Sequence, residues 1–248
     1  MSQILETMAE YRRRAYVDCL MQMKAQNNVI GTFGNVDEAF LRAHGLVPIP
    51  IVGVDAHIFA FGEYPSCDPI RSTMVYLTTM KCPLLYSCKM YYFKSACPYM
   101  TEAFTQNTSK PLHIHQSNAE CSKQIREVYG TDFNEISYAA NQKLLQQIAQ
   151  QIERLYQSKL SGQDVYAIDF YAKYIINLEE RLQVVEGYAK QYRPVANKER
   201  KPVYIACPGG ILPKLTSADA GMQIVDSMQN LHMTCNGCRF EAPIHIHY

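Results

Sequence analysis

The sequence predicts an α/β protein: a parallel-sheet N-terminal lobe with flanking helices, then a long helical hairpin, then the start of a second α/β lobe. Three observations carry this. Short β-rich runs alternate with helical stretches through residues 1–130. A sustained helical period then occupies residues 131–192, and a fresh strand-and-turn pattern opens within residues 193–248.

The helix formers of Leu5–Met23 come first and include Arg12-Arg13-Arg14, read as a solvated face. Val29–Phe33 is β-rich, and Gly34-Asn35 makes a turn. Asn35 is placed to cap a helix, with Glu38 three residues on completing a capping-box pattern. The helix Val36–His44 stops at Gly45, and Leu46–Val52 reads as the next strand. So short a helix between two strands indicates a parallel crossover.

Ile70–Met80 reads as a helix leading to a strand at Cys82–Ser87. Cys88–Lys94, with three consecutive aromatics, is a strand or a buried loop. Tyr99–Phe104 is helical and leads to a strand at Leu112–His115, on which His113 and His115 share one face. Those two histidines fit a partly exposed edge strand or a catalytic role.

From Asp132, with Glu135 at capping-box spacing, Ile136, Leu144, Ile148, Ile152 and Leu155 follow a helical period. After Ser161-Gly162, Ile168, Tyr171, Ile175, Leu178, Leu182 and Val185 form a second stripe, so two long antiparallel helices are expected. Arg193–Lys201 reads as a linker. The second lobe then offers the strand Val203–Ala206, the turn Cys207-Pro208-Gly209-Gly210, the helix Ala218–Gln229 and the strand Leu231–Thr234. It leaves room for about two strands, so that lobe looks incomplete.

Composition narrows the function classes. A net charge of +1 gives no field that gathers nucleic acid. The longest apolar stretch, Leu46–Val54, carries two prolines and a glycine and is too short to span a bilayer. No apolar leader follows the N-terminus, so nine cysteines, an odd number, read as reduced thiols in a cytoplasmic protein. The glycine pair at 209–210 lacks the rest of a phosphate-binding signature, and no Walker motif occurs, so ATP hydrolysis is not expected of this chain.

Two cysteines stand at matching places. Cys67 lies in Pro65-Ser66-Cys67-Asp68-Pro69 and Cys97 in Ala96-Cys97-Pro98, each after an apolar stretch and before a helix. A thiolate ahead of a helix meets free backbone N–H groups and the positive end of the dipole, which lower its pKa. The repeated arrangement suggests sulfurs converging on one iron–sulfur site; the alternative is two buried structural thiols. Cys19, Cys82, Cys88 and Cys121, in apolar or helical context, read as buried thiols. Cys235 and Cys238 with His245 and His247 also offer a zinc donor set, although His-x-His is tighter than the common spacing.

The serial order of these parts resembles the cluster-binding subunits of the 2-hydroxyacyl-CoA dehydratase and benzoyl-CoA reductase family. The resemblance runs from Ile30-Gly31-Thr32-Phe33-Gly34 and Ala43-His44-Gly45-Leu46-Val47-Pro48-Ile49 through Cys67-Asp68-Pro69-Ile70-Arg71-Ser72 and Ser95-Ala96-Cys97-Pro98. It continues to Cys207-Pro208 and Cys235-Asn236-Gly237-Cys238-Arg239. It implies a [4Fe–4S] cluster held by Cys67 and Cys97, with Cys207, Cys235, Cys238 or a partner supplying a further ligand. It also implies an acyl-CoA substrate bordered by Val52–Phe61 and by Arg71 and Ser72, and radical dehydration or reduction driven by a low-potential electron. The partners it implies are a homologous cluster-binding subunit in an oligomer and an ATP-dependent activator in an anaerobic electron-transfer system. Pro98 stands where the family commonly has aspartate, and the chain ends before the family's usual third ligand. A non-catalytic binding or assembly protein of the same fold is the alternative.

Overall fold

The computed structural model describes residues 3–53, 56–66, 68–94, 98–195, 201–205, 222–226 and 246–247. Its first half is an α/β layer built on a parallel sheet of order β2-β1-β3-β4, where β1 is Val29–Gly34, β2 Val47–Pro50, β3 Met90–Lys94 and β4 Leu112–Ile114. Every neighbouring pair in this sheet is parallel. Helix α1 (Gln3–Ala25) precedes it, and α2 (Glu38–Ala43) makes the β1-to-β2 crossover.

The cap of α2 differs from expectation. Asp37, not Asn35, accepts the Phe40 N–H at 3.0 Å. Asn35 is instead bonded into the sheet end, its N–H donating to the Lys94 carbonyl at 2.8 Å. Gly45 follows α2 with φ +73°, a left-handed conformation that glycine adopts without a Cβ penalty.

After β2 come a 3-10 turn (Ala56–Phe61) and α3 (Asp68–Thr79). The strand expected at Cys82–Ser87 is a short helix, α4 (Pro83–Ser87), with Pro83 in its first turn and Cys82 at the cap. Six residues rich in Leu and Tyr fit either conformation by period alone, and the proline decides for the helix. The ambiguous segment after it is the central strand β3, whose Met90–Phe93 are all buried. Helix α5 (Pro98–Asn107) leads to β4, and α6 (Asn118–Tyr129), absent from the sequence reading, follows. Ser117 caps α6 by accepting from Glu120 N–H, and Gly130 ends it at φ +72°.

The helical region begins with α7 (Glu135–Tyr156), capped by Asn134 rather than Asp132. The second long helix is in fact two: α8 (Gly162–Ala172) and α9 (Leu178–Gln191). Asn177 interrupts them by accepting the Glu180 N–H at 2.8 Å, the reciprocal of a helix start. α9 packs on α7, and α8 packs on α1. One hydrophobic core runs from Leu5 and Met8 through Val29, Ile49 and Phe93 to Ile148, Ile168 and Val185. The helices of 131–192 therefore share the core of the N-terminal sheet. Arg12 is also interior, at 4% exposure, whereas Arg13 and Arg14 are solvated as expected.

The second sheet has order β6-β5-β7, with β5 Lys201–Ile205, β6 Met222–Asp226 and β7 Ile246–His247. β5 pairs parallel to β6 and antiparallel to β7. Met222–Asp226 falls inside the helix expected at Ala218–Gln229, which the structure corrects. The β-branched pair Ile224-Val225 suits the ladder it forms with Val203 and Tyr204. Lys201 begins β5, so the linker is shorter than read, and the strand expected at Leu231–Thr234 lies outside the described residues.

Candidate functional site

The order β2-β1-β3-β4 means that the chain leaves β1 on one side and returns to β3 on the other. In open α/β sheets ligands bind at the carboxyl ends of the strands, where the order reverses. The two faces are covered by different helices. Ile30, Met90 and Tyr92 pack with Phe40 and Leu41 of α2 and with Ile125 of α6. Val29, Tyr91 and Phe93 pack with Met74 of α3 and with Met100 and Phe104 of α5.

A cleft of about 500 Å³ opens at this end. Phe33, Gly34 and Pro50 form its floor at the ends of β1 and β2. Asp37 and Glu38 at the start of α2 form one wall, and Tyr166 and Phe170 of α8 with Lys173 at its C-cap form another. Those three residues lie at i, i+4 and i+7, one helical face. The volume is that of a small-molecule site, mostly apolar with a few polar groups.

The acidic groups at the rim are committed to structure. Asp37 caps α2 and accepts from the Tyr138 hydroxyl at 3.4 Å. The Asp37 charge is the main reason the Tyr138 phenol is held above its ordinary pKa. Glu38 accepts from Arg42 Nε at 2.8 Å and from Arg181 Nη1 at 2.8 Å. Burial by itself raises its pKa, but the two guanidinium groups outweigh burial and pull it down to about 2. Glu38 is therefore held as an anion, with both carboxylate oxygens engaged by the two arginines. Asp169 and Lys173 form an ion pair at 3.6 Å.

Cys67 and Cys97 lie outside the described residues, as do Cys207, Cys235, Cys238 and His245. What is described are the helices that follow the first two: α3 begins at Asp68 and α5 at Pro98, and the two helices pack on each other. Each starts after the chain has left the carboxyl end of a strand, β2 for α3 and β3 for α5.

Ser72 is interior, at 2% exposure. A Cβ at Gly53 would lie 2.5 Å from the Ser72 Oγ, and the Gly53 N–H donates to Thr73 Oγ1 at 2.7 Å. Ser72 and Thr73 thus hold the chain after β2 against α3. Arg71 lies with its guanidinium 4.1 Å from the centre of the Phe59 ring, a cation–π contact.

His113 and His115 do share a face, and both meet Tyr92. The His113 ring stacks on Tyr92 at 5.6 Å, and its Nδ1 lies 2.6 Å from the Gln124 Oε1 it donates to. His115 Nδ1 sits 2.8 Å from the Tyr92 hydroxyl. Partial burial, with Lys94 and His113 nearby, lowers the His115 pKa.

The four thiols read as buried are buried: Cys19, Cys82, Cys88 and Cys121. Burial raises the pKa of Cys19 and of Cys121 to about 12 and that of Cys88 well above its ordinary value. Such thiols are protonated and unreactive at neutral pH. Among the described residues, no group of three or more His, Cys, Asp or Glu side chains could hold a metal ion.

The cleft itself escaped the sequence reading, because its walls come from stretches more than a hundred residues apart. The one local signal was the Tyr166, Phe170 and Lys173 face. Comparison with models of known protein families finds none that matches this chain, and comparison with curated proteins finds no significant match either.

Proposed function

We propose that the chain is the cluster-binding subunit of a 2-hydroxyacyl-CoA dehydratase-like system, with Cys67 and Cys97 as thiolate ligands of a [4Fe–4S] cluster. One observation carries the reading: α3 and α5, which begin directly after these two cysteines, pack on each other and both start beyond the carboxyl ends of parallel strands. Two thiols ahead of adjacent helices are the donor chemistry that such a cluster needs. The helix starts would favour the anionic sulfurs. A third thiolate is required, and Cys207, Cys235, Cys238 or a partner subunit would provide it.

When bound, the cluster would supply a low-potential electron. The chain's own residues would bind and orient the acyl-CoA. The cleft beside Phe33 and Phe170 has the size and apolar lining for an acyl group. A related subunit and an ATP-dependent activator complete the proposal, in the cytoplasm of an anaerobic cell. Among the described residues no helix is long and apolar enough to cross a membrane.

The test is iron and acid-labile sulfide per chain after anaerobic purification, with EPR of the dithionite-reduced sample. The proposal expects about four of each, as a [4Fe–4S] cluster requires, and loss of the signal in Cys67→Ala. Iron-free protein, purified anaerobically and after attempted reconstitution, would overturn it and leave a non-catalytic binding or assembly protein of the same fold.

A further inference from the structure

The parallel sheet ends in two unlike edges. On β2, Val47 and Ile51 turn toward β1, their N–H groups donating to the Asn28 carbonyl at 2.9 Å and to the Thr32 carbonyl at 3.2 Å. Alternation along the strand then points the backbone of Pro48 and Pro50 away from the sheet. Proline has no N–H, so β2 offers no donor to a further strand.

The other edge is β4. The Tyr91 N–H donates to the Pro111 carbonyl at 2.9 Å and the His115 N–H to the Phe93 carbonyl at 2.8 Å, so Pro111, His113 and His115 face β3. Leu112 and Ile114 therefore turn their N–H and C=O groups outward, and among the described residues no hydrogen bond engages them. The Ile114 side chain is 47% exposed. Beside this edge runs a groove of about 380 Å³, lined by Leu112, His113, Ile114 and Gln116 and by Glu120 and Gln124 of α6. Natural sheets guard an open edge with proline or charge. β2 carries the prolines, whereas the outward positions of β4 carry neither guard.

We propose that β4 pairs with the β4 of a second copy of this chain, antiparallel about a twofold axis at His113, which joins the two sheets into one. The edge is its own complement. In that register Leu112 of one copy stands opposite Ile114 of the other as a hydrogen-bonded pair, and the symmetry repeats the pair, so every outward N–H and C=O of the two residues is used. Their side chains share one face of the sheet and meet across the strands. A second copy suits this edge better than a free peptide does. A peptide would have to be ordered residue by residue, at a cost above what each bond returns, whereas the β4 of a folded copy is already extended. The proline edge sets the symmetry: β2 has no donors for the β4 of a neighbour, so the contact closes as a dimer and does not propagate as a filament. This inference does not rest on the cluster reading.

Sedimentation of the full chain over a wide concentration range tests it, with Ile114→Lys and Ile114→Pro as variants. Both change an outward-facing edge residue and leave the bonds to β3 in place, and circular dichroism with thermal melting establishes that each variant is folded. Ile114→Pro gives β4 the protection that β2 already has. It removes one outward donor from each copy, so the dimer should weaken about thirtyfold. Ile114→Lys sets an ammonium group in the apolar pair at each end and should weaken it by at least about tenfold. Hydrogen exchange locates the contact: the Leu112 and Ile114 amides should be protected in the concentrated wild type and exchange freely on dilution. Wild type that stays monomeric at submillimolar concentration overturns the proposal. So does a dimer that the folded variants retain unchanged, or a species that keeps growing with concentration.

Discussion

Arg181 and Glu38 meet at 2.8 Å although 143 residues separate them in the chain. The contact ties α9 to the first residue of α2 and so fixes the helical region to the rim of the carboxyl-edge cleft. Arg181 is otherwise satisfied by backbone: its Nε and Nη2 donate to the Ile175 carbonyl at 3.1 and 3.0 Å. Those bonds close the break between α8 and α9. One buried guanidinium thus ends one helix junction and pins another element.

Removing one member of a buried pair strands the other charge, so Glu38→Gln should cost about 3–5 kcal/mol. The pH dependence follows from the lowered pKa. The folded carboxyl titrates near 2 against an ordinary 4.5, so the stability it confers is fully present above 4.5 and is lost as pH falls toward 2. Urea unfolding of wild type and Glu38→Gln between pH 7 and pH 3 checks this. The gap between the two proteins should narrow as the pH falls; a gap independent of pH would show that the charge is not what the pair contributes.

Gly31 sits in mid-strand where a side chain has no room. A Cβ there would lie 2.7 Å from Tyr91 Cδ1, 2.8 Å from Ile51 Cγ2 and 3.0 Å from Cys88 Sγ. Gly31→Ala should therefore cost about 1–3 kcal/mol by overpacking, despite the general preference for alanine over glycine. A thermal melt that moved upward would mean that β1 and β3 have slack.

The buried thiols set a chemical count. Cys19, Cys82, Cys88 and Cys121 should resist Ellman's reagent at pH 8 in the native state and react only in denaturant. Since folding raises the pKa of Cys19 and Cys121 from 9 to about 12, the stability linked to them is present below 9 and falls as pH rises toward 12. Mass mapping of native-state adducts reads this directly. Rapid native labelling at any of the four would contradict the packing around them.

How much could be foreseen depended on whether a signal was local. The β1–α2–β2 crossover was legible because strand, helix and Gly45 follow one another within a few turns, although the cap fell on Asp37 and not on Asn35. The starts of α3 and α5 were legible from proline beside cysteine, and the period of α7 from Leu144, Ile148, Ile152 and Leu155, which do face the core, whereas Ile136, read on the same stripe, is exposed. α4 was not, because a short apolar run has no period to read. The α8–α9 break was present in the sequence as Asn177 with Glu180 three residues on, and a continuous apolar stripe hid it. Arg12 was misread with its neighbours because only tertiary contact, with Tyr16 and Tyr174, draws one arginine of three inside. The cleft had no local signature, since Phe33 and Phe170 approach it from different halves of the chain.

Lys110 closes α4 from outside the helix. Its Nζ donates to the carbonyls of Leu85 at 2.9 Å, Tyr86 at 2.8 Å and Cys88 at 2.6 Å. These belong to the carbonyls that a helix end leaves without partners, and a cation there also meets the negative end of the dipole. Burial lowers the Lys110 pKa, with the nearby Cys88 opposing it. Lys110→Met keeps most of the stem and removes all three bonds; the expected loss is about 1.5–3 kcal/mol. The effect should be local first. Hydrogen exchange at the Tyr86 amide, which donates to the Cys82 carbonyl at 2.9 Å, should quicken in Lys110→Met more than exchange in β1. Equal acceleration throughout the sheet would mean that Lys110 supports the whole fold and not the end of α4.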